Sequence, residues 1–161
     1  MKRKTGILIT LILILLIGQI VPVMGAEPEW YDLKEIAIDD EGQKNTLYSS
    51  DEIVPYTRYI MGATATLLEG GANKLLMRSE VFCTEEMATI STSFTLQKKS
   101  GNSWVTVGKG SVSVKNSNHM YKGMSASGVS SGTYRCIADT KVTNKVGYSE
   151  TISVTSGQIS I

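Results

Sequence analysis

The chain has 161 residues, of which 42% are hydrophobic and 19% are charged, and its formal net charge is +1. This length suits one domain of ordinary size. A single histidine and two cysteines cannot supply the four ligands of a usual zinc site, and the near-neutral charge balance gives no general attraction to nucleic acid.

The N-terminal stretch predicts an export signal. A basic start, Met1-Lys-Arg-Lys4, precedes an apolar run from Ile7 to Ile20, and small residues in Val23-Met-Gly-Ala26 follow Pro22. This pattern is typical of a secretory signal peptide over residues 1–26, with cleavage after either of its last two residues. The alternative is an uncleaved membrane anchor, because the run approaches the roughly 18 to 20 apolar residues that span a bilayer. We therefore expect a secreted, extracellular protein or, alternatively, one anchored through its N-terminus.

Residues 27–55 are predicted to form an acidic leader. From Glu27 to Ile60 nine acidic residues face three basic ones, a net charge of −6, whereas from Met61 to Ile161 ten basic residues face six acidic ones, a net charge of +4. The simplest interpretation is a solvated leader before a mildly basic domain. The alternatives are that the leader folds back on the domain, or that the domain binds an anionic partner.

The start of the leader has the pattern of a short helix. Pro28 suits the first helical position, and Trp30, Leu33 and Ala37 share one face at helical spacing. Glu27 to Gly42 is therefore a candidate helix, short and rich in acids.

From residue 56 onward the composition indicates strands and turns. Threonine, serine, valine and isoleucine alternate with polar residues and are interrupted by glycine. Seven or eight short segments at close spacing predict an all-β, antiparallel, immunoglobulin-like β-sandwich over residues 56–161. Asn116 to Ser130 is the hardest stretch to place: His119 to Ser125 is a candidate strand, and the rest is expected to be loop. The alternation directs one set of side chains inward: Leu75, Met77, Val81, Cys83, Ile90, Phe94, Leu96, Tyr134, Cys136, Ala138, Val142, Ile152 and Val154.

Both cysteines are among these inward residues. In an exported protein, two inward cysteines on two strands predict a disulfide between Cys83 and Cys136. The alternative is a pair of buried free thiols.

The stretch Ser131-Gly-Thr-Tyr-Arg-Cys136 resembles the tyrosine corner of immunoglobulin-like domains. There a tyrosine two residues before the second cysteine packs in the core, and its hydroxyl bonds to backbone a few residues upstream. The resemblance implies this role for Tyr134. Trp104 lies between the cysteines, as in that pattern, but it follows the Ser100–Ser103 turn and so comes later than a tryptophan that covers the disulfide.

A second resemblance covers about residues 47–161. The order Leu47-Tyr-Ser-Ser-Asp51, Leu96-Gln-Lys98, Trp104-Val-Thr-Val107, Gly132-Thr-Tyr-Arg135 and Glu150-Thr-Ile-Ser153 is similar to that of small secreted proteins of unknown function from Gram-positive bacteria. It implies export and a compact β domain, and it assigns no catalytic or binding residues.

Groups suited to catalysis are sparse. His119 is the only histidine and has no acid nearby in sequence to orient it in a triad. Asp39 to Glu41 lacks the alternating oxygen ligands of a calcium loop. Glu85 and Glu86 are adjacent, so on a strand they point apart, and a glycosidase pair would need a partner elsewhere. We therefore expect no metal, cofactor or catalytic residues.

Two groups of residues suggest a contact surface. Met120, Tyr121 and Met124 combine flexible apolar groups with a tyrosine. Lys98 and Lys99 lie near other lysines on the middle hairpins and are predicted to form a basic face with Lys109, Lys115 and Lys122. The alternatives are core filling for the methionines and protection of edge strands for the lysines.

These features favour a non-enzymatic extracellular or cell-envelope binding or adhesion module, whose partner is a protein or an anionic cell-wall polymer. One alternative is a secreted antagonistic effector. The other is a wall-glycan-acting enzyme that uses dispersed carboxylates such as Glu85, Glu86 and Glu150.

Overall fold

A computed structural model of the protein describes residues 29–38 and 57–161, and this part of the chain contains no helix. Within these described residues, seven antiparallel strands form one open sheet, so the predicted all-β antiparallel class is confirmed. The predicted signal peptide and the leader residues 39–55 lie outside the described residues. The strands are β1 (Lys34–Ile36), β2 (Ile60–Glu69), β3 (Lys74–Ser100), β4 (Ser103–Ser127), β5 (Thr133–Thr143), β6 (Ser149–Thr155) and β7 (Ile159–Ser160).

Two long strands organise the sheet. β3 has 27 residues and β4 has 25, and they form one hairpin that runs through both halves of the sheet. The first part of β3 pairs with β2 and with the end of β4, whereas its second part pairs with β5 and with the start of β4. The sequence predicted shorter segments here, because Glu85-Glu86 and Gly108 resemble breaks. The chain instead stays extended, and its register with β4 shifts between Phe82 and Met87.

The two halves of the sheet share one core, as in a β-sandwich. β2 contacts β5 and β6 in addition to its hydrogen-bonded neighbour β3. Every residue that the alternation directed inward is buried, from Leu75 to Val154. The period-two pattern therefore placed each of these residues correctly, although the core also contains residues that it did not assign, such as Met120 and Met124.

Part of the predicted leader belongs to this domain. Residues 29–38 are extended rather than helical, and β1 pairs with β4 from Lys34 opposite Ser125 to Ile36 opposite Gly123. Tyr31 is buried, and its backbone N–H donates to the Val107 carbonyl at 2.6 Å. The helix predicted from Glu27 is thus wrong over these residues. A short, acid-rich helix is marginally stable alone. The extended segment instead forms backbone hydrogen bonds with the edge of β4 and buries an aromatic ring.

The predicted disulfide is not formed: Cys83 and Cys136 are both free and buried. Cys83 is opposite Ile60 on β2, and the N–H of the preceding residue, Tyr59, donates to Glu150, which is opposite Val142 on β5. Cys136 lies six positions away from Val142 on that strand, or about 20 Å at the usual rise. A disulfide requires Cα atoms within about 7 Å. Both cysteines point inward as predicted, but at different ends of the core.

Candidate functional site

The predicted Met-Tyr contact surface does not form. Met120 and Met124 are buried in the core, 1% and 5% exposed, opposite Val81 and Met77 of β3. Tyr121 is half-buried on the other face of β4. The alternative of core filling is therefore correct for the methionines. The candidate strand from His119 to Ser125 is part of β4, which also includes Asn116 to Asn118, expected to be loop, and continues to Ser127.

Lys98 belongs to a partly buried polar cluster instead of an exposed face. Its ammonium group lies 2.7 Å from the Glu29 carboxylate and also contacts the Ser130 hydroxyl, which donates to Glu29 at 2.9 Å. The hydrogen bond from Lys98 is the largest cause that lowers the pKa of Glu29, and Glu29 in turn raises the pKa of Lys98. A lysine that activates a serine must lose its proton. This cluster keeps Lys98 charged, so it fastens the N-terminal segment to the domain.

Tyr134 makes the hydrogen bond expected of a tyrosine corner. Its ring is fully buried, and its hydroxyl donates to the Ser130 carbonyl, four residues upstream, at 2.8 Å. The Tyr31 hydroxyl lies 3.3 Å away and accepts a hydrogen bond from the Ser130 N–H at 3.1 Å. Burial, followed by the hydrogen bond to Glu29, raises the pKa of Tyr31 to about 12. The two tyrosines thus join the N-terminal segment to the β4–β5 connection.

The carboxylates considered for catalysis have structural partners. Glu150 accepts hydrogen bonds from the Thr57 hydroxyl at 2.6 Å and the Tyr59 N–H at 2.9 Å. Burial raises the pKa of Glu150, but these bonds outweigh it and the net pKa is lowered, which is unsuitable for a general acid. Glu86 pairs with Lys145 at 2.6 Å, and Glu85 lines the same open cleft of about 440 Å³.

His119 gains a partner that the sequence did not reveal. Its Nε2 lies 3.1 Å from a carboxylate oxygen of Glu80, and its ring stacks on Phe82 with centroids 4.5 Å apart. Ser117 hydrogen-bonds only the backbone of His119. The histidine is therefore oriented by an acid, but no nucleophile is hydrogen-bonded to its ring within the described part of the chain.

The outward side of the second half of the sheet is a flat, basic surface, which we call the hydroxyl–lysine face. Strand order β4–β3–β5–β6 brings its side chains into cross-strand rows, such as Lys109, Thr95, Ile137 and Thr155. Its basic residues are Lys99, Lys109, Lys115, Lys141 and Arg135, and Asp139 is its one acid. Its hydroxyl residues are Thr89, Ser91, Ser93, Thr95, Thr106, Ser111, Ser113, Thr143, Ser149, Thr151, Ser153 and Thr155.

Three residues at one end of this face contact each other. The guanidinium carbon of Arg135 lies 4.4 Å from the centroid of the Trp104 ring. The Nε of Arg135 donates to Gln97 at 2.8 Å. Trp104 is thus an outward residue paired with Lys99, and it covers the arginine rather than a disulfide.

The predicted basic face is therefore partly present. Lys99, Lys109 and Lys115 share the hydroxyl–lysine face, whereas Lys98 and Lys122 bind Glu29 and Glu35 of the N-terminal segment. Lys141 and Arg135 were missing from the prediction because they lie on β5, distant in sequence. Their outward direction was nevertheless readable from the alternation in β5.

The described residues hold no group of three or more histidines, cysteines or acids placed to bind a metal ion. Within residues 29–38 and 57–161, no helix is long and apolar enough to cross a membrane. No family model, curated protein or solved structure matches the chain.

Proposed function

We propose that the protein is an extracellular, non-enzymatic binding module that holds an anionic cell-wall polymer on its hydroxyl–lysine face. The observation that carries this proposal is the charge distribution. Five basic side chains and a single acid occupy one outward surface of four neighbouring strands.

The dimensions of the face suit an extended ligand. Lys109 and Lys115 are six positions apart on β4, which corresponds to about 20 Å, and Lys141 lies two strands away, which adds about 10 Å across the sheet. These separations exceed the Debye length of about 8 Å at physiological ionic strength. One small anion would therefore meet one or two lysines at most, whereas a chain of anions meets several at once.

The hydroxyl rows add a second kind of complementarity. Serine and threonine hydroxyls both donate and accept hydrogen bonds, so they suit a polymer that carries hydroxyl groups and oxyanions. Their side chains are short, and Ile137 is the one apolar side chain in the four-residue rows. A flat polar surface of this kind favours a hydrated polysaccharide or polyol chain over an apolar protein segment.

Protection of edge strands does not account for all the lysines. It suits Lys109 and Lys115, which lie on the part of β4 that pairs only with β3 and contacts the N-terminal segment near Val107. Lys141 lies on β5, between β3 and β6. A basic residue in the middle of the sheet needs a different explanation, and an anionic ligand supplies one.

The test compares two triple variants in binding to purified, anionic cell-wall polymer. Lys109→Gln/Lys115→Gln/Lys141→Gln removes three charges from the face, and Lys34→Gln/Lys74→Gln/Lys145→Gln removes three charges elsewhere. We expect the affinity of the first variant to fall at least tenfold. The slope of its log K against log salt concentration should become shallower by about two, by analogy with counterion release from other polyanions. Equal losses in both variants, or no binding by the unmodified protein, would contradict the proposal.

A further inference from the structure

We propose that Arg135 is an oxyanion subsite within the hydroxyl–lysine face, where it receives one phosphodiester or carboxylate group of the polymer through paired hydrogen bonds. This inference rests on the proposed function and adds to it the chemistry of one contact. Its basis is the cluster of Arg135, Trp104 and Gln97.

The three residues come from three neighbouring strands. Gln97 on β3 is opposite Arg135 on β5 and Thr106 on β4. Trp104 lies two positions before Thr106 on β4, so the two side chains are on the same face. The guanidinium group of Arg135 therefore crosses β3 to reach the indole ring, at 4.4 Å from the ring centroid. This contact fixes where the arginine side chain lies on the surface.

Only one of the side-chain hydrogen-bond donors of Arg135 has an acceptor among the described residues. A guanidinium group has five N–H donors, and its Nε donates to Gln97. No carboxylate forms an ion pair with Arg135 in residues 29–38 and 57–161. Among the described residues the two terminal nitrogens therefore have no hydrogen-bond acceptor and the charge has no counter-ion, although the side chain is half-buried.

The cluster restrains the guanidinium group before any ligand arrives. The cation–π contact with Trp104 holds the guanidinium group over the indole ring, and the hydrogen bond from Nε to Gln97 restricts its rotation. The pair of terminal nitrogens is then presented as a fork, which matches two oxygens of a carboxylate or of a phosphodiester. Restraint of this kind lowers the entropy cost of binding.

A neighbouring lysine extends the subsite. Lys99 is the next outward residue after Gln97 on β3, about 7 Å along the strand, and it is opposite Trp104. It is exposed and forms no ion pair in the described part of the chain. The ammonium group of Lys99 supplies positive charge without a fixed orientation of its hydrogen-bond donors, whereas the guanidinium group of Arg135 supplies charge and oriented donors.

The test replaces the fork while keeping the charge. Arg135→Lys retains the positive charge but loses the two terminal nitrogens, and Arg58→Lys is the matched control, because Arg58 is an exposed arginine that also lies over an aromatic ring, that of Tyr59, away from the hydroxyl–lysine face. Binding is measured to poly(glycerol phosphate) and to polygalacturonate, with double-stranded DNA as a third polyanion. We expect Arg135→Lys to weaken binding to at least one of the two wall-type polymers about tenfold, and Arg58→Lys to change it less than twofold.

A second measurement reports on the subsite directly. The chain has two tryptophans, so a Trp30→Phe background leaves Trp104 as the single fluorophore, stacked on Arg135. Polymer should change the Trp104 emission in this background and leave it unchanged once Arg135→Lys is added. Gln97→Leu, which frees the Nε, should weaken binding about threefold.

The outcomes separate the two proposals. If the unmodified protein binds neither wall-type polymer, the proposed function and the subsite both fail. If it binds but Arg135→Lys binds within twofold of it on both wall-type polymers, whatever the effect on DNA, the subsite fails and the general basic face stands. The thermal unfolding midpoint of each variant confirms that a loss of binding is not a loss of folding.

Discussion

Single polar residues hold distant parts of this chain together. Glu150 on β6 accepts hydrogen bonds from Thr57 and Tyr59, which lie just before β2. Both residues are more than ninety positions away from Glu150 in the sequence. Asn144 in the β5–β6 turn accepts from two backbone N–H groups and donates to the Tyr59 hydroxyl at 3.0 Å. Both residues act on the same short stretch before β2, so this stretch is a fixed part of the fold.

The Glu150 contacts predict a dependence of stability on pH. Its folded-state pKa is lowered below the ordinary value of 4.5, so its contribution is complete above that value and is lost as the pH falls through the folded pKa. Glu150→Gln should lower the free energy of unfolding by about 1 to 2 kcal/mol at pH 7. The difference from the unmodified protein should shrink below pH 4. Urea unfolding from pH 7 to pH 3 measures this.

Glu85→Gln is the matched control for Glu150→Gln. Glu85 is exposed beside an open cleft, and a surface change of this kind usually stays within about 0.5 kcal/mol. Equal effects of the two substitutions at neutral pH would contradict the role given to Glu150.

The buried thiols predict a specific pattern of chemical reactivity. Burial raises the pKa of Cys83 to about 11 and that of Cys136 further still, so neither thiol ionises near pH 8, and the thiolate is the reactive form. Folded protein should therefore resist alkylation at pH 8. Denatured protein should take up two alkyl groups without any reductant, as mass spectrometry would show. Uptake only after reduction would instead reveal a disulfide.

At the scale of elements, the N-terminal segment should contribute strongly to stability despite its short strand. Tyr31→Ala should lower the free energy of unfolding by about 3 kcal/mol, because it removes a buried aromatic ring. Tyr31→Phe should cost about 1 kcal/mol, because it removes only the hydroxyl contacts with Ser130 and Tyr134. The neighbouring Trp30→Ala is the control, since Trp30 is 57% exposed. Similar losses at both positions would contradict this account of the segment.

The close approach of β3 and β4 depends on a glycine. A Cβ atom at Gly123 would lie 2.6 Å from the Met77 carbonyl oxygen, whereas one at Gly62 would meet nothing within 4 Å. Gly123→Ala should therefore destabilise the protein by about 1 to 3 kcal/mol. Gly62→Ala should be neutral or slightly stabilising, because it reduces the freedom of the unfolded chain. Thermal unfolding of the two variants distinguishes these outcomes, and a tolerated alanine at Gly123 would contradict the packing.

The sequence revealed local features of these elements better than distant ones. Alternation identified the inward residues because it depends only on neighbours in one strand. It did not assign Met120 and Met124 to the core, because Lys122 lies between them and interrupts the apolar pattern. The partner that binds Lys122 is Glu35, which lies 87 residues away and so is not visible in the local sequence. β1 was missed for the same reason, since its stability comes from the edge of β4 and from burial of Tyr31. The candidate site likewise required the pairing of β5 with β3 before Arg135 and Lys141 could be added to it.

At the scale of the whole molecule, two groups of basic residues are separate: those paired with the N-terminal segment and those on the hydroxyl–lysine face. The negative N-terminal residues Glu29 and Glu35 neutralise Lys98 and Lys122. The lysines of the hydroxyl–lysine face have no such partners in the described ranges. Glu29 and Glu35 are therefore bound away from this face and do not compete for it.

The long hairpin also predicts how the molecule unfolds. β3 and β4 pass through both halves of the sheet, and a single hydrophobic cluster includes Leu75 and Met77 from one half and Phe94 and Val154 from the other. One half cannot separate from the other without breaking this cluster and the strands themselves. We therefore expect one cooperative transition, as is usual for single domains of this size.

Two reporters test this expectation, one in each half of the sheet. Trp104 in a Trp30→Phe background reports on the second half. Phe82→Trp, combined with Trp30→Phe and Trp104→Phe, reports on the first half at a position that is 45% exposed and so tolerates the change. Urea midpoints and m values, corrected for the stability of each variant by circular dichroism, should coincide for the two reporters. If the Phe82→Trp signal changes at lower urea than the circular dichroism of the same variant, the first half opens separately, and the continuous strands do not couple the two halves.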